Sequence, residues 1–383
     1  MPTLSKEEEL HWLALRIVPG LGTRRAGQLI QTFRSPQAIF RASKSELEAS
    51  GLAPSIAQSI ASGLAFEEAA DQQEKLADCG AQIVPMTDPA YPPALLQIFD
   101  PPPVLFVRGR IELLRSLMIG VVGTRRPTAY GTAVATRFAK DLSGAGLTIA
   151  SGMARGIDTA AHKSALEAGG DTVAVFGCGV DQVYPSENRK LSEQIAEKGL
   201  TVSEFPMGTP AYPQNFPVRN RIIAGMSAGV IIVEGGEYSG SSITAKLAIE
   251  QGREVFAVPG NITSKMSWGP NLLIKQGAKL VQEWNDVVSE LKPEDRRRLA
   301  DKCRKQLNLQ EAESDVPAPA SISHQGRIVL KALKPDQPVG LDQLIESLES
   351  VSSSEIIATL FELELAGLVR QVPGKNFVRV WQD

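Results

Sequence analysis

Glycines and arginines recur together where predicted strands end, and this combination of residues binds phosphate. Two segments carry it, residues 123–126 (GTRR) and 151–156 (SGMARG), and residues 216–221 (FPVRNR) add further arginines at a predicted helix start. Glycine lets backbone amides approach an anion closely, and the start of a following helix adds its positive end. Arginine presents a planar fork of donors that matches phosphate oxygens. The pattern predicts a site for a phosphate-bearing ligand.

The predicted contact residues are the glycine, hydroxyl, amide, basic and aromatic residues of these segments and of the serine-rich segment after EGG. They are Gly123, Thr124, Arg125, Arg126, Ser151, Gly152, Arg155, Gly156, Phe216, Arg219, Asn220, Arg221, Ser239, Gly240 and Ser241. Arg155 has a second interpretation, as an ion-pair partner of Asp158 or a helix cap. Phe216 and Tyr212 are candidates for stacking on a base, although Phe216 would equally suit core packing.

Other kinds of chemistry have weak support in the sequence. The segment GVVGTRRPTAYG fails the G-x-G-x-x-G pattern, and the chain has no G-x-x-x-x-G-K-[ST], so we expect no cofactor. His162 lies in the middle of a predicted helix, where packing is the better interpretation. Cys178 could be a nucleophile, but the predicted sheet region holds no second histidine to act as its base. No cluster of metal ligands is expected.

The elements that must position the site alternate between strand and helix from about residue 117 to 282. The predicted strands are LMIGVVG, LTIASG, DTVAVFG, LTVSEF, AGVIIVEGG and REVFAVPG. Continuous apolar runs of this kind, separated by helical segments, indicate an α/β fold with a doubly wound, Rossmann-like parallel sheet. Ligands of such sheets bind at the carboxyl ends of the strands, which is where the glycines and arginines fall.

The chain divides into four predicted parts. Residues 1–80 form a helical domain, in which VPGLGTRR resembles a DNA-binding helix-hairpin-helix turn but equally fits a plain helical hairpin. Residues 81–290 form the Rossmann-like domain, expected to bind DNA and to dimerise. Residues 291–322 end in a Pro/Ala/Ser-rich stretch and are predicted to be a linker. Residues 323–383 combine three helices with a hairpin, the composition of a winged helix.

Composition limits the partners. The 383 residues carry a formal net charge of −3, so nucleic acid binding requires a local basic cluster. The three cysteines are far apart, which favours a reducing compartment, and no apolar run approaches the length of a membrane span. We therefore expect a cytoplasmic protein without membrane contact.

Charge also argues against duplex reading by the winged helix. Residues 326–383 hold six basic and eight acidic residues, and the helix SSEIIATLFELELAG has three glutamates and no basic residue. A recognition helix in the major groove would bring these charges close to phosphates. We predict a role in protein contacts, with Lys375 and Arg379 making at most minor DNA contacts.

Seven ordered segments together resemble the DNA-processing protein A (DprA/Smf) family. They are YPPALLQIFDPPPVLFVRG, VVGTRRPTAYG, ASGMARGIDTAAHKSAL, GCGVDQVYPSENRKL, SEFPMGTPAYPQNFPVRNRIIAGMS, IIVEGGEYSGSSITAKLA and VFAVPGNI. The resemblance covers nearly the whole chain and is strongest over residues 91–277. One departure is Ser186, which stands where many members have a basic residue, so a phosphate contact at that point is not expected.

The resemblance implies a function. Members of the family bind single-stranded DNA without marked sequence preference, protect it, load the RecA recombinase on it during natural transformation, form homodimers and are not known as enzymes. The alternative is an enzyme on the same fold that hydrolyses a nucleotide or a phosphorylated metabolite. A third interpretation, a duplex DNA regulator, is disfavoured by the charge of the winged helix.

Overall fold

The computed structural model describes residues 4–237, 239–300, 324–333, 338–348, 352–365, 368–372 and 376–380. The chain forms two compact units, Met1–Asp295 and Arg296–Asp383. The finer division into four domains stays a prediction.

Six helices precede the sheet: α1 (Lys6–Ile17), α2 (Thr23–Phe33), α3 (Pro36–Arg41), α4 (Lys44–Ala49), α5 (Pro54–Ser62) and α6 (Ala65–Cys79). Ser5 and Ser43 begin α1 and α4 with capping boxes, which satisfy amides that have no partner within the helix. Trp12 and Leu13 belong to a core that also includes Phe106 of the first sheet region. The helices therefore share their core with the sheet.

The sheet of the first unit has nine strands: β1 (Gln82–Pro85), β2 (Val104–Gly109), β3 (Met118–Val122), β4 (Thr148–Ser151), β5 (Thr172–Val175), β6 (Leu200–Ser203), β7 (Gly229–Ile232), β8 (Glu254–Ala257) and β9 (Lys279–Leu280). Their spatial order is β1-β2-β6-β5-β4-β3-β7-β8-β9. The run from β6 to β9 is parallel, and β1 and β2 add an antiparallel edge. This confirms the predicted α/β class.

Helices connect the strands: α7 (Ala129–Gly144), α8 (Ile157–Glu167), α9 (Arg189–Lys198), α10 (Asn215–Met226), α11 (Gly240–Glu250), α12 (Trp268–Lys275) and α13 (Trp284–Glu290), with 3-10 turns at Leu95–Gln97, Ile111–Arg115 and Ser186–Asn188. Residues 293–300 are also helical. The chain runs outward from β3 to β6 and then returns to place β7 on the other side of β3. A crevice opens where the strand order reverses, so a binding site is expected at the carboxyl ends of β3 and β7.

The described part of the second unit contains α14 (His324–Ala332), α15 (Leu341–Ser347) and α16 (Ser353–Leu365), with strands β10 (Val339–Gly340), β11 (Val369–Val372) and β12 (Asn376–Arg379). The strands form an antiparallel sheet in the order β10-β12-β11. Val329, Leu344, Ile356 and Phe377 are buried in its core. The predicted winged-helix composition is confirmed, while Lys375 lies outside the described residues.

Candidate functional site

A cleft of about 740 Å³ opens at the carboxyl ends of β3 and β7, at the point where the strand order reverses. It brings together residues from three of the predicted segments and from the serine-rich turn. The predicted residues that line it are Gly123, Thr124, Arg125, Arg126, Phe216, Arg219, Asn220, Ser239, Gly240 and Ser241. The cleft thus joins ten of the predicted contacts, although whether they touch a ligand stays a prediction.

Arg219 is the most unusual side chain of the cleft. It is 3% exposed, and its Nε and Nη1 atoms are buried without a hydrogen-bond partner in the described structure. No carboxylate of the described residues lies within 4 Å of its guanidinium group. A buried charged donor without a partner is costly, so such a group is informative about binding. Arg219 is therefore the strongest candidate for anchoring an anionic ligand.

The charge that compensates Arg219 most is the buried carboxylate of Asp158. Burial lowers the pKa of Arg219, and the charge of Asp158 opposes this shift. Burial likewise raises the pKa of Asp158, opposed by Arg219 and by backbone donors. Its Oδ2 atom accepts hydrogen bonds from the amides of Gly152 and Ala154 at 3.1 and 3.3 Å. Because Asp158 already serves these amides, the guanidinium of Arg219 keeps unused donors.

Two aromatic rings stand beside the arginines. The ring centroids of Phe216 and Tyr184 are 5.4 Å apart, with an angle of 41° between the planes. The guanidinium carbons of Arg125 and Arg219 lie 5.3 and 5.9 Å from the Phe216 centroid. Phe216 is half-buried and Tyr184 is 46% exposed, and both line the cleft. The arrangement combines ring faces with cations, as a site for bases and phosphates requires.

The glycines of the second segment allow its close approach to its neighbours. A Cβ atom on Gly152 would lie 1.3 Å from Nη1 of Arg219, so only glycine leaves room for that guanidinium. Gly156 has φ of +77°, and a Cβ there would lie 2.4 Å from the Thr124 carbonyl oxygen. The Ile157 amide donates to the same oxygen at 3.2 Å. These two glycines position the site and do not line the cleft.

Three other predicted residues lie outside the cleft because the fold uses them elsewhere. The hydroxyl of Ser151 is buried and donates to the Val121 carbonyl at 2.7 Å, which links β4 to β3. Arg155 forms an exposed two-pronged ion pair with Glu187, with distances of 2.8 and 2.7 Å. The expected ion pair of Arg155 is therefore present, but its partner is Glu187 and the prediction of Asp158 is wrong.

Arg221, the third of them, belongs to a buried ion cluster, by which we mean Arg16, Asp100, Glu204 and Arg221. Its Nη2 atom donates to Glu204 Oε2 at 2.6 Å, and Nη1 donates to the Asp100 carbonyl at 2.8 Å. The Asp100 carboxylate lies 3.4 Å from Nε, and Arg16 Nε donates to the Glu204 carbonyl at 3.1 Å. Arg221 therefore stabilises the fold next to the cleft.

The starts of helices α7 and α8 are occupied by carboxylates of the protein itself. Glu234 accepts hydrogen bonds from the Thr128 amide at 2.9 Å and from its hydroxyl at 2.6 Å. The carboxylate of Asp158 likewise accepts hydrogen bonds from the Gly152 and Ala154 amides in the loop before α8. A dinucleotide pyrophosphate at these helix starts would meet negative charge, which agrees with the missing fingerprint. The start of α11 is capped instead by a neutral group, the Ser239 hydroxyl, which accepts from the Ser242 amide at 3.4 Å.

The thiol of Cys178 and the ring of His162 are both buried and form hydrogen bonds within the fold. Burial raises the pKa of the Cys178 thiol to about 12, and this thiol donates to the Gln182 carbonyl at 3.1 Å. Burial lowers the pKa of His162 to about 3, and its Nδ1 atom lies 2.7 Å from the Thr172 hydroxyl. Over the described ranges, no group of three or more potential ligands could hold a metal ion. Helices in that part of the chain are also too short or too polar to cross a membrane.

The sequence suggested Tyr212 as a ring for stacking on a base and gave no sign of Tyr184. Tyr212 is 49% exposed but does not line the cleft, whereas Tyr184 does. Both tyrosines are followed by proline in the sequence, so the motif alone could not separate them. The role of Glu234 at the start of α7 was also missed, because its partner Thr128 is 106 residues away.

Comparisons with known proteins agree with this geometry. Residues 82–292 match the family model described as DNA recombination-mediator protein A, and residues 312–375 match the DprA winged helix domain. The chain is 38% identical over 308 residues to Protein Smf of Escherichia coli, covering 78% of this chain and 77% of that protein. It is 45% identical over 213 residues to DNA processing protein DprA of Bacillus subtilis, covering 55% and 72%.

Two solved structures are also similar. DNA processing protein A from Streptococcus pneumoniae has a TM-score of 0.64 at 34% identity, covering 74% of this chain and 98% of that one. The Helicobacter pylori protein, whose single-stranded DNA binding mode has been described, has a TM-score of 0.50 at 30% identity, covering 55% and 98%. Fold, site geometry and sequence identity lead to one conclusion: this chain belongs to the DNA recombination-mediator protein A family.

Proposed function

We propose that the cleft binds single-stranded DNA, with phosphates on its arginines and bases on its aromatic rings. The observation that carries this proposal is Arg219, buried and partly unpartnered, beside the Phe216–Tyr184 ring pair. A phosphate would supply the acceptor that the guanidinium lacks. Every base has a ring face to stack, so this kind of site tolerates any sequence.

Electrostatics supports a local site on an acidic protein. The net charge is −3, yet Arg125 and Arg126 are exposed at the cleft without an ion pair among the described residues. Phosphate contacts release counterions, so the affinity should fall steeply with salt. Removing one arginine–phosphate interaction should reduce the slope of log K against log salt by about 0.7 for a single strand.

Fluorescence anisotropy tests the proposal with a labelled dT oligomer, its duplex with dA and a salt series. We expect tighter binding of the single strand, with Arg125→Ala/Arg126→Ala lowering the slope by about 1.4. Arg137→Ala is the control, because this exposed arginine on α7 pairs with Asp141 and does not line the cleft. A double variant that behaves like this control would contradict the proposal.

Family membership makes the chain a mediator in DNA recombination. We propose that it acts as a homodimer that loads a RecA recombinase on the strand during natural transformation. Light scattering tests the dimer. Strand exchange by RecA, with and without the protein on DNA already coated by a single-strand binding protein, tests loading. A cytoplasmic location stays a prediction.

We also propose that the chain binds DNA without catalysing a reaction on it. The raised pKa of Cys178 and the carboxylates at the starts of α7 and α8 disfavour a nucleotide hydrolase. Incubation with nucleoside monophosphates, followed by chromatography for released base, tests this point. Release of base at a rate that depends on the cleft arginines would favour the enzyme instead.

The winged helix is proposed to make protein contacts. In α16, Glu355 and Glu362 are exposed, and Glu355 accepts from the Ser352 amide and hydroxyl. Deletion of residues 323–383 should leave the single-strand affinity within a few-fold. A hundredfold loss would show that this unit contributes to DNA binding.

A further inference from the structure

We propose that a strand bound in the cleft continues along the carboxyl edge of the sheet to a second contact, the hairpin platform. The hairpin platform consists of Arg24 and Arg25 at the start of α2 and of Phe99, between the turn Leu95–Gln97 and β2. The inference rests on the proposed function, because the ligand is the same single strand.

The platform presents an exposed ring with a cation over it. Phe99 is 75% exposed, and the guanidinium carbon of Arg24 lies 4.3 Å from its ring centroid. Arg25 is exposed beside it, and the first turn of α2 has no acidic residue. Within the described ranges, neither arginine forms an ion pair. An accessible ring face with a guanidinium over it suits a stacked base and its phosphate.

Asp100, the acidic neighbour of the platform, is paired with an arginine. Asp100 follows Phe99, and its carboxylate lies 3.4 Å from Nε of Arg221. Its carbonyl oxygen accepts from Nη1 of the same arginine at 2.8 Å. Because the ion cluster engages Asp100, this carboxylate repels an approaching phosphate less than a free one would.

The ion cluster also fixes the platform at the edge of the sheet that carries the cleft. Glu204 follows the last residue of β6, so it marks the carboxyl end of that strand. Arg16, near the end of α1, donates to the carbonyl of Glu204, and Arg221 joins Glu204 to Asp100. The α1–α2 turn begins two residues after Arg16. Both halves of the platform are thus tied to the carboxyl end of β6.

The separation is short enough for one strand to reach both contacts. Three inter-strand gaps separate β6 from β3, which borders the cleft. At about 4.8 Å per gap, they span about 14 Å. A stacked strand rises about 3.4 Å per nucleotide, so about four steps, and therefore about five nucleotides, are needed to touch both contacts. The platform should therefore affect long oligomers and leave the shortest ones unaffected.

The test compares the affinities of the full chain for dT4, dT8, dT12 and dT20, measured by anisotropy and competition. Phe99→Ala and Arg24→Ala/Arg25→Ala should each weaken dT20 binding by at least about fivefold, the loss expected for one stacked base. Both should bind dT4 like the wild type. The control Arg41→Ala/Lys44→Ala removes the same charge from exposed positions of the helical region and should leave both affinities unchanged.

Two outcomes would overturn the platform. Either the platform variants bind dT20 like the control, or they weaken dT4 as much as dT20. Thermal unfolding of each variant verifies that the fold is retained, which the exposure of all three side chains favours. The proposed cleft fails separately, if Arg125→Ala/Arg126→Ala leaves dT4 binding unchanged.

Discussion

Helix α10 carries two buried arginines whose surroundings differ. Arg221 is held in the ion cluster by the Glu204 carboxylate and by Asp100. Arg219 lines the cleft, and its Nε and Nη1 have no partner in the described structure. Both residues are less than a tenth exposed, so burial does not distinguish them. What distinguishes them is how far their donors are satisfied.

This difference separates a structural charge from a candidate binding charge. Removing an ion from water costs several kcal/mol, which a well-placed partner offsets. In the ion cluster the partner is part of the fold, whereas at the cleft Nε and Nη1 of Arg219 have no partner among the described residues. His162 shows a third solution, because burial lowers its pKa to about 3 and leaves it neutral.

The largest effect is expected on stability, in the ion cluster. Arg221→Met would leave the Glu204 carboxylate buried without its main partner, at a cost of about 3–5 kcal/mol in unfolding free energy. Urea denaturation measures it, and Glu204→Gln/Arg221→Met should recover part of the loss. A normal stability of the single variant would contradict the structural role of Arg221.

Substitution of Arg219, in the cleft, should affect single-strand affinity more than stability. Arg219→Gln removes a charged donor from the proposed phosphate site, so single-strand binding should weaken by about 1.5–3 kcal/mol. Its unfolding free energy should change less than that of Arg221→Met, because Asp158 keeps the Gly152 and Ala154 amides as partners and no ion pair shorter than 4 Å is broken. Anisotropy and urea denaturation on both variants measure the contrast. If Arg219→Gln lowers the unfolding free energy and leaves the single-strand affinity unchanged, then Arg219 has a structural role like that of Arg221.

The aromatic side of the cleft can be tested with a matched pair. Phe216→Ala should weaken single-strand binding by about 1–3 kcal/mol, the value of one stacked base. Tyr212→Ala serves as control, since Tyr212 is exposed on the neighbouring turn but does not line the cleft. Equal effects of the two substitutions would argue that Phe216 only packs.

The buried neutral ring of His162 predicts that the unfolding free energy depends on pH. The pKa of His162 is about 3 in the folded protein and about 6.5 in an unfolded chain, so its neutral form is favoured by folding. Its contribution is complete above pH 6.5 and is lost as pH falls toward 3, by about 1.4 kcal/mol per pH unit. His162→Gln should flatten unfolding free energy between pH 4 and 6.5. An unchanged slope would mean that other groups dominate the acid response.

The smallest effect is expected at Arg155, whose ion pair with Glu187 is exposed on both sides. Glu187→Gln should free Arg155 and strengthen single-strand binding by less than about fivefold, because exposed pairs are weak. Arg155→Ala should matter more in the Glu187→Gln background than in the wild type. Additive effects in this double-mutant cycle would show that Glu187 does not compete with DNA for Arg155.

Much of the fold followed from local pattern. The segment LMIGVVG contains β3, and YGTAVATRFAKDLSGAG contains α7 except for its first residue, because apolar runs and helical periodicity are local properties. The hairpin turn VPGLGTRR does separate α1 from α2, but its contact with Phe99 joins residues far apart in the chain. Such contacts depend on how elements pack, which a single sequence does not specify.

The sequence by itself determined the α/β class, the strand-end loops rich in glycine and arginine, and the family. It could not decide which arginine serves which purpose. Residues 219 and 221 lie about 200° apart around a helix of 3.6 residues per turn, so they face different surroundings. Only the tertiary structure placed Glu204 and Asp100 beside one of them and an open cleft beside the other. The reason is that partners of a buried charge come from distant parts of the chain.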